Sequence, residues 1–154
     1  MCEDDTQQQG SEQERDRAGN ARSDETTSVP MVSVVVVHYN RPQLLEQALR
    51  SVANQTHPAA RLEVVLVDDG STTPEAVAYL DRLEAEGSWW RERGWLVLRQ
   101  PNRYLGAARN AGWRAARGEW VLFMDDDNVA MPSLVRSSPV GRPPLAVRWS
   151  WRVG

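Results

Sequence analysis

Residues 31–38 are apolar and rich in valine almost without a break. A continuous β-branched run of this kind marks a strand covered on both faces, as in a parallel sheet. Leu44, Leu45, Ala48, Leu49 and Val52 then recur at the spacing of one helical face, which predicts a helix with Asn40 as its N-cap and Pro42 in its first turn. Residues 54–58 end it. A second buried strand is predicted over residues 62–67, followed by Asp68, Asp69, Gly70 and Ser71, and Thr73 and Pro74 open a second helix that turns Val77, Leu80 and Leu83 inward. Trp89 and Trp90 fall in a charged connection, where they are expected to cover the sheet edge, and residues 95–98 make a third, shorter strand broken by Gln100, Pro101 and Asn102. Residues 105–117 are alanine-rich and read as a closely packed helix that Gly118 stops. A last apolar run over residues 120–124 ends in three consecutive carboxylates, Asp125, Asp126 and Asp127.

Strand and helix alternating in this way imply an α/β fold with a mainly parallel sheet, so the loops after the strands gather on one edge. Asn40, the Asp68–Asp69 pair and the acidic triplet all belong to such loops, and the crevice beyond the carboxyl ends of the strands is where open α/β sheets bind ligands. Adjacent anions repel one another, and a chain tolerates them where a cation or hydrogen-bond donors gather. The plainer reading of the triplet is a solvated acidic turn. At residues 68–71 the choice is between a strand-ending turn, with an acid capping the next helix, and an acid that hydrogen-bonds a nucleobase or ribose. Arg109 is either a surface arginine or one that faces the same crevice and pairs with an acid or a phosphate. His38, ending a valine strand, reads as a packed core histidine outside the chemistry.

Composition narrows the classes. A chain of 154 residues suits one domain or part of one. A formal charge of −3 gives no electrostatic case for nucleic acid. All eighteen basic residues are arginine, and without lysine there is no Schiff-base, pyridoxal-phosphate or phosphate-loop chemistry. Cys2 stands alone and no run is apolar and long enough to span a membrane, so a soluble cytoplasmic chain is expected. Residues 1–29 are polar and are expected to be disordered. The domain is expected over residues 31–135. Residues 136–154 contain Pro139, Pro143 and Pro144 and no acid, and read as an irregular tail.

Four motifs then add a resemblance. Val34 to Pro42 with Tyr39 and Asn40 at its centre, Val64 to Ser71 with Asp68 and Asp69, Asn102 to Gly112 with Arg109 and Asn110, and Phe123 to Asn128 with the triplet stand in the order found in family-2 glycosyltransferases. The match covers roughly residues 31–135. The resemblance implies the GT-A fold, a Rossmann-like three-layer sandwich, here incomplete at the C-terminus. It further implies a nucleotide-diphosphate sugar donor and an acceptor that the sequence does not name. Tyr39 and Asn40 would line the base pocket, Asp68 or Asp69 would bind the base, and Arg109 would sit beside it. Asp125 or Asp126 would face the ribose, and Asp127 would face a divalent metal, Mg2+ or Mn2+, bridging the diphosphate. The family's inverting enzymes also use a later carboxylate as base, and no Asp or Glu follows Asn128. The catalytic base is therefore unassigned, and the chain is expected to be the front part of a longer domain, cut near residues 134–138. A nicotinamide dehydrogenase would need a glycine fingerprint where this chain has His38, Tyr39, Asn40 and Arg41, and a magnesium-dependent phosphoryl-transfer domain leaves Arg109 and Asn110 unexplained. The remaining alternative is a catalytically inactive, truncated nucleotide-sugar-binding fragment.

Overall fold

The computed structural model describes residues 29–135 and 146–148, so the expected disorder of the N-terminal tail lies, Val29 apart, outside the described residues. Four parallel strands form the sheet: β1 (Val32–His38), β2 (Leu62–Asp68), β3 (Leu96–Arg99) and β4 (Trp120–Asp125). A short β5 (Ala146–Arg148) adds antiparallel to β4, giving the order β3-β2-β1-β4-β5. Every residue of β1 and β2 is buried, as their unbroken apolar runs require. The chain winds outward from β1 through β2 to β3 and then returns to place β4 on the other side of β1. The carboxyl ends of β1 and β4 therefore flank the point where the winding reverses, and that is where a parallel sheet leaves a crevice.

Four α-helices complete the described layers: α1 (Pro42–Ala53), α2 (Pro74–Glu84), the single-turn α3 (Trp89–Glu92) and α4 (Tyr104–Ala115). Val32, Val34, Val36, Val64 and Leu66 pack on one face with Leu45, Leu49, Leu80 and Trp90, while Val35, Val37, Val65 and Val67 pack on the other with Ala108. Alternate residues of each strand thus bind opposite helix layers, which makes the three-layer sandwich. No helix among the described residues is long and apolar enough to cross a membrane.

The helix faces differ from the predicted ones in detail. In α2 the buried residues are Ala76, Tyr79, Leu80 and Leu83, with Val77 at the margin, and in α1 Leu44 is exposed. A helical stripe read from sequence locates a face only to within about one residue position. The tail read as wholly irregular contains β5, because the outer edge of β4 offers unpaired N–H and C=O groups to which even three extended residues can add. Three residues are too few to show a period. Trp89 and Trp90, read as part of a connection, begin the single-turn α3. With Trp95 they form an edge-to-face cluster with centroids 5.1–5.8 Å apart, and Trp95 Nε1 donates to the Leu62 carbonyl at 3.3 Å.

Two close contacts fix how α4 and β4 meet the sheet. At Gly112 an added Cβ would stand 2.3 Å from Val35 Cγ1 and 2.9 Å from Val67 Cγ2, so the small face of α4 lies directly on β1 and β2. Replacing an interior helical glycine by alanine ordinarily gains about 1 kcal/mol of helix propensity, but overpacking costs about 1–3 kcal/mol. Gly112→Val, which adds a branched side chain with poor helix propensity, is expected to destabilise by about 3 kcal/mol in urea unfolding. Unchanged stability would show that α4 can lift from the sheet without loss. At the opposite, amino edge, Glu63 is buried, accepting from Ser33 Oγ at 2.5 Å and from the backbone N and Nε of Arg117 at 2.8 and 2.7 Å. Ser33 Oγ in turn accepts from the Gly118 N–H at 2.8 Å. Burial alone would raise the Glu63 pKa, but the bonds from Ser33 and Arg117 and the arginine charge outweigh it and hold the carboxyl below its ordinary value.

Candidate functional site

The loops that leave β1, β2 and β3 are tied together by short polar side chains. Asn40 adopts a left-handed backbone conformation with φ 55°. That turn carries its side chain away from α1, for which it was the predicted cap, and toward the entry of α2. There Asn40 Oδ1 accepts from the N–H groups of Thr72 and Thr73 at 2.7 and 3.0 Å, while α1 has Arg41 at its N-cap position and no side-chain cap. The Asn40 N–H donates to Ser71 Oγ at 2.9 Å, and Ser71 donates through both its N–H and its hydroxyl to Asp68. Asp69 Oδ1 accepts from Gln100 Nε2 at 2.7 Å and from the Arg103 N–H at 2.9 Å, which joins the β2 loop to the loop before α4. Asp68 and Asp69 are both buried, whereas Tyr39 stands out from the β1 loop at 44% exposure.

The acidic triplet does not act as a unit. Asp125 pairs with Arg109, Oδ1 to Nη2 at 2.8 Å, both side chains partly exposed. Asp126 turns inward and is wholly buried: Oδ2 bonds His38 Nδ1 at 2.8 Å and accepts from the Tyr39 N–H at 3.4 Å. Its Oδ1 lies 2.5 Å from Arg41 Nη2, an ion pair without hydrogen-bond geometry. Asp127 faces outward, about half exposed, with Oδ2 3.2 Å from Arg41 Nη1. The mutual repulsion of the acids is thus relieved by two arginines and a histidine belonging to other elements.

The structure gathers Asn40, Asp68, Asp69, Arg109, Asp125 and Asp127 at the carboxyl edge and places Tyr39 at its rim, while Asp126 points into the protein. His38 has the burial expected of a core histidine, yet its partner is the triplet. Neither His38 nor Arg41 is marked by the sequence pattern as a partner of the triplet. The placement of His38 follows from the register: β1 and β4 run parallel with Val37 beside Asp125, so the next residues along are His38 and Asp126. A shallow groove of about 440 Å3 between α1 and α2, lined by Pro42, Glu46, Pro74 and Tyr79, includes none of the strand-end acids. Among the described residues no cluster of three or more His, Cys, Asp or Glu could hold a metal. Mg2+ and Mn2+ do not need such a cage where one carboxylate shares the cation with phosphate oxygens and water, and the outward, hard-oxygen carboxylate of Asp127 fits that arrangement.

The pattern of Glycosyl transferase family 2 matches residues 33–137. This chain belongs to that family. Validoxylamine A glucosyltransferase of Streptomyces hygroscopicus subsp. jinggangensis is 37% identical over 115 residues, covering 73% of this chain and 25% of its own length. The succinoglycan biosynthesis protein ExoO of Rhizobium meliloti is 36% identical over 110 residues, covering 70% of this chain and 28% of its own. Among solved structures, the mannosyltransferase PcManGT from Pyrobaculum calidifontis, in complex with GDP-Man and Mn2+, superposes with TM-score 0.59 at 30% identity over 71% of this chain and 31% of its own. S. aureus TarS 1-349 in complex with UDP-GlcNAc gives 0.58 at 30% identity, over 68% and 29%. The fold is therefore the GT-A type, and this family-2 chain spans about a quarter to a third of the length of the relatives it matches.

Proposed function

We propose that this family-2 chain binds a nucleotide-diphosphate sugar together with Mg2+ or Mn2+, as the donor half of a sugar-transfer reaction. The observation that carries the reading is the meeting of the Arg109–Asp125 pair and the outward Asp127 beside the tied β1, β2 and β3 loops. Tyr39 offers an exposed ring for a base to lie against, and the polar loops around Asn40, Asp68 and Asp69 border that position with fixed donors and acceptors. Asp125, already oriented by Arg109, is the acid for the ribose, and Asp127 is the carboxylate for the cation. A divalent cation bound there would stabilise the charge developing on the leaving diphosphate. Sugar transfer also needs a base for the acceptor hydroxyl, and the carboxylates gathered at this edge are all taken up on the donor side of the proposal.

Calorimetric titration of UDP and GDP into the chain tests the reading. At least one of the two is expected to bind in Mn2+, to lose tenfold or more of its affinity in chelator, and to lose a similar factor in Asp127→Asn. Equal affinity with and without metal would show that Asp127 is not a metal ligand.

A further inference from the structure

The placement of Arg41 is not explained by helix capping or by donor binding. It precedes α1 at the N-cap position, makes no capping bond, and sends its guanidinium back across the carboxyl edge to the triplet. Its two terminal nitrogens are divided between two acids. Nη2 is 2.5 Å from Oδ1 of the fully buried Asp126, and Nη1 is 3.2 Å from Oδ2 of the half-exposed Asp127. The grip is unequal. The guanidinium is held by charge to an acid that has no solvent to turn to, in an ion pair without hydrogen-bond geometry, and gives its hydrogen bond to one that does. Its own side chain is half exposed, so its outer edge can move without breaking the inner contact.

We propose that Arg41 is the built-in counter-ion of the metal-binding carboxylate, competing with the divalent cation for Asp127 and transferring its outer nitrogen to the donor's diphosphate as the cation takes its place. The proposal rests on Asp127 being the carboxylate for the cation. Arg41 holds Oδ2 of Asp127, and a divalent cation arriving at the same carboxylate repels the guanidinium and draws off the charge it rests on, so cation entry weakens the hold of Nη1. Phosphate oxygens arriving with the cation give that nitrogen a new anionic partner, while Asp126, held by His38 and the Tyr39 N–H, keeps the arginine from leaving the edge. Cation alone then binds weakly, because it weakens an internal ion pair with no replacement. Cation and diphosphate together bind well, because each removes the cost the other meets. The two ligands are coupled through one side chain.

Mn2+ binding to the full chain without nucleotide, followed by electron paramagnetic resonance or calorimetry, tests this. Arg41→Gln is expected to bind Mn2+ alone about tenfold more tightly than the wild type, and to bind UDP or GDP more weakly at saturating Mn2+, so that the coupling between the two ligands shrinks. Because Arg41→Gln leaves Asp126 with less compensation and can impair folding, Arg41→Lys serves as the second variant. It keeps a positive charge for Asp126 but presents one nitrogen centre in place of a fork, and is expected to show the same direction of change. Unchanged or weaker Mn2+ binding in both variants, with Asp127→Asn still abolishing it, overturns the counter-ion role while leaving Asp127 as the metal carboxylate. Mn2+ binding that Asp127→Asn does not affect overturns both.

Discussion

Asp126→Ala lowers the stability of the domain by about 3 kcal/mol, enough to shift the melting midpoint by on the order of 10 °C or more. The substitution removes in one step the acceptor of His38 Nδ1 and of the Tyr39 N–H and the ion-pair partner of Arg41. The histidine ring and the carboxylate are both fully buried, so no water takes over the lost bond, and a buried polar group left without its partner bears the full desolvation cost. Arg41 is half exposed and solvent screens its share, which keeps the expected loss at the lower end for a broken buried pair. The neighbouring acid behaves in the opposite way. Asp127→Asn changes stability by about 0.5 kcal/mol or less, because that side chain faces solvent and relief of the anionic repulsion offsets the loss of one exposed ion pair. Thermal denaturation of the two variants side by side separates the roles. If Asp126→Ala melts with the wild type, the inward carboxylate does not hold β1 to β4, and the ligand role implied by family resemblance returns as the better account of Asp126.

Glu63 produces the second large effect, and it depends on pH. Its carboxyl is held below the ordinary glutamate value of 4.5, so between that value and its own pKa the unfolded chain binds a proton that the folded chain does not. The stability it contributes is present in full above about 4.5 and is lost as the pH falls through the lowered folded pKa. Glu63→Gln is expected to cost about 1–3 kcal/mol at neutral pH, because the bonds from Ser33 and Arg117 lose their charged acceptor. The gap between the two proteins should narrow on acidification below 4.5. Urea unfolding of both across that range is the measurement, and parallel curves would show that Glu63 is not the titrating group. The consequence reaches the other edge of the sheet. Glu63 joins Ser33 of β1 to the chain that enters β4, the strand that delivers Asp125, Asp126 and Asp127 beside His38.

The four parallel strands, the helices α1, α2 and α4 and the edge at which the acids collect follow from the sequence by itself, because each rests on a local pattern. The valine run of β1, the repeat of apolar residues in α1 and the acids that follow β2 and β4 each lie within about a dozen neighbouring residues. Tertiary structure decided what the polar side chains do once the loops meet. Asn40 turned from its own helix to the loop of the next, the edge of β4 drew three residues of the tail into the sheet, and the middle acid of the triplet turned inward to a histidine 88 positions earlier in the chain. These outcomes depend on which groups are left without water or a partner when strands distant in sequence are laid side by side. A local pattern carries no trace of that competition, because burial and pairing are properties of the assembled sheet.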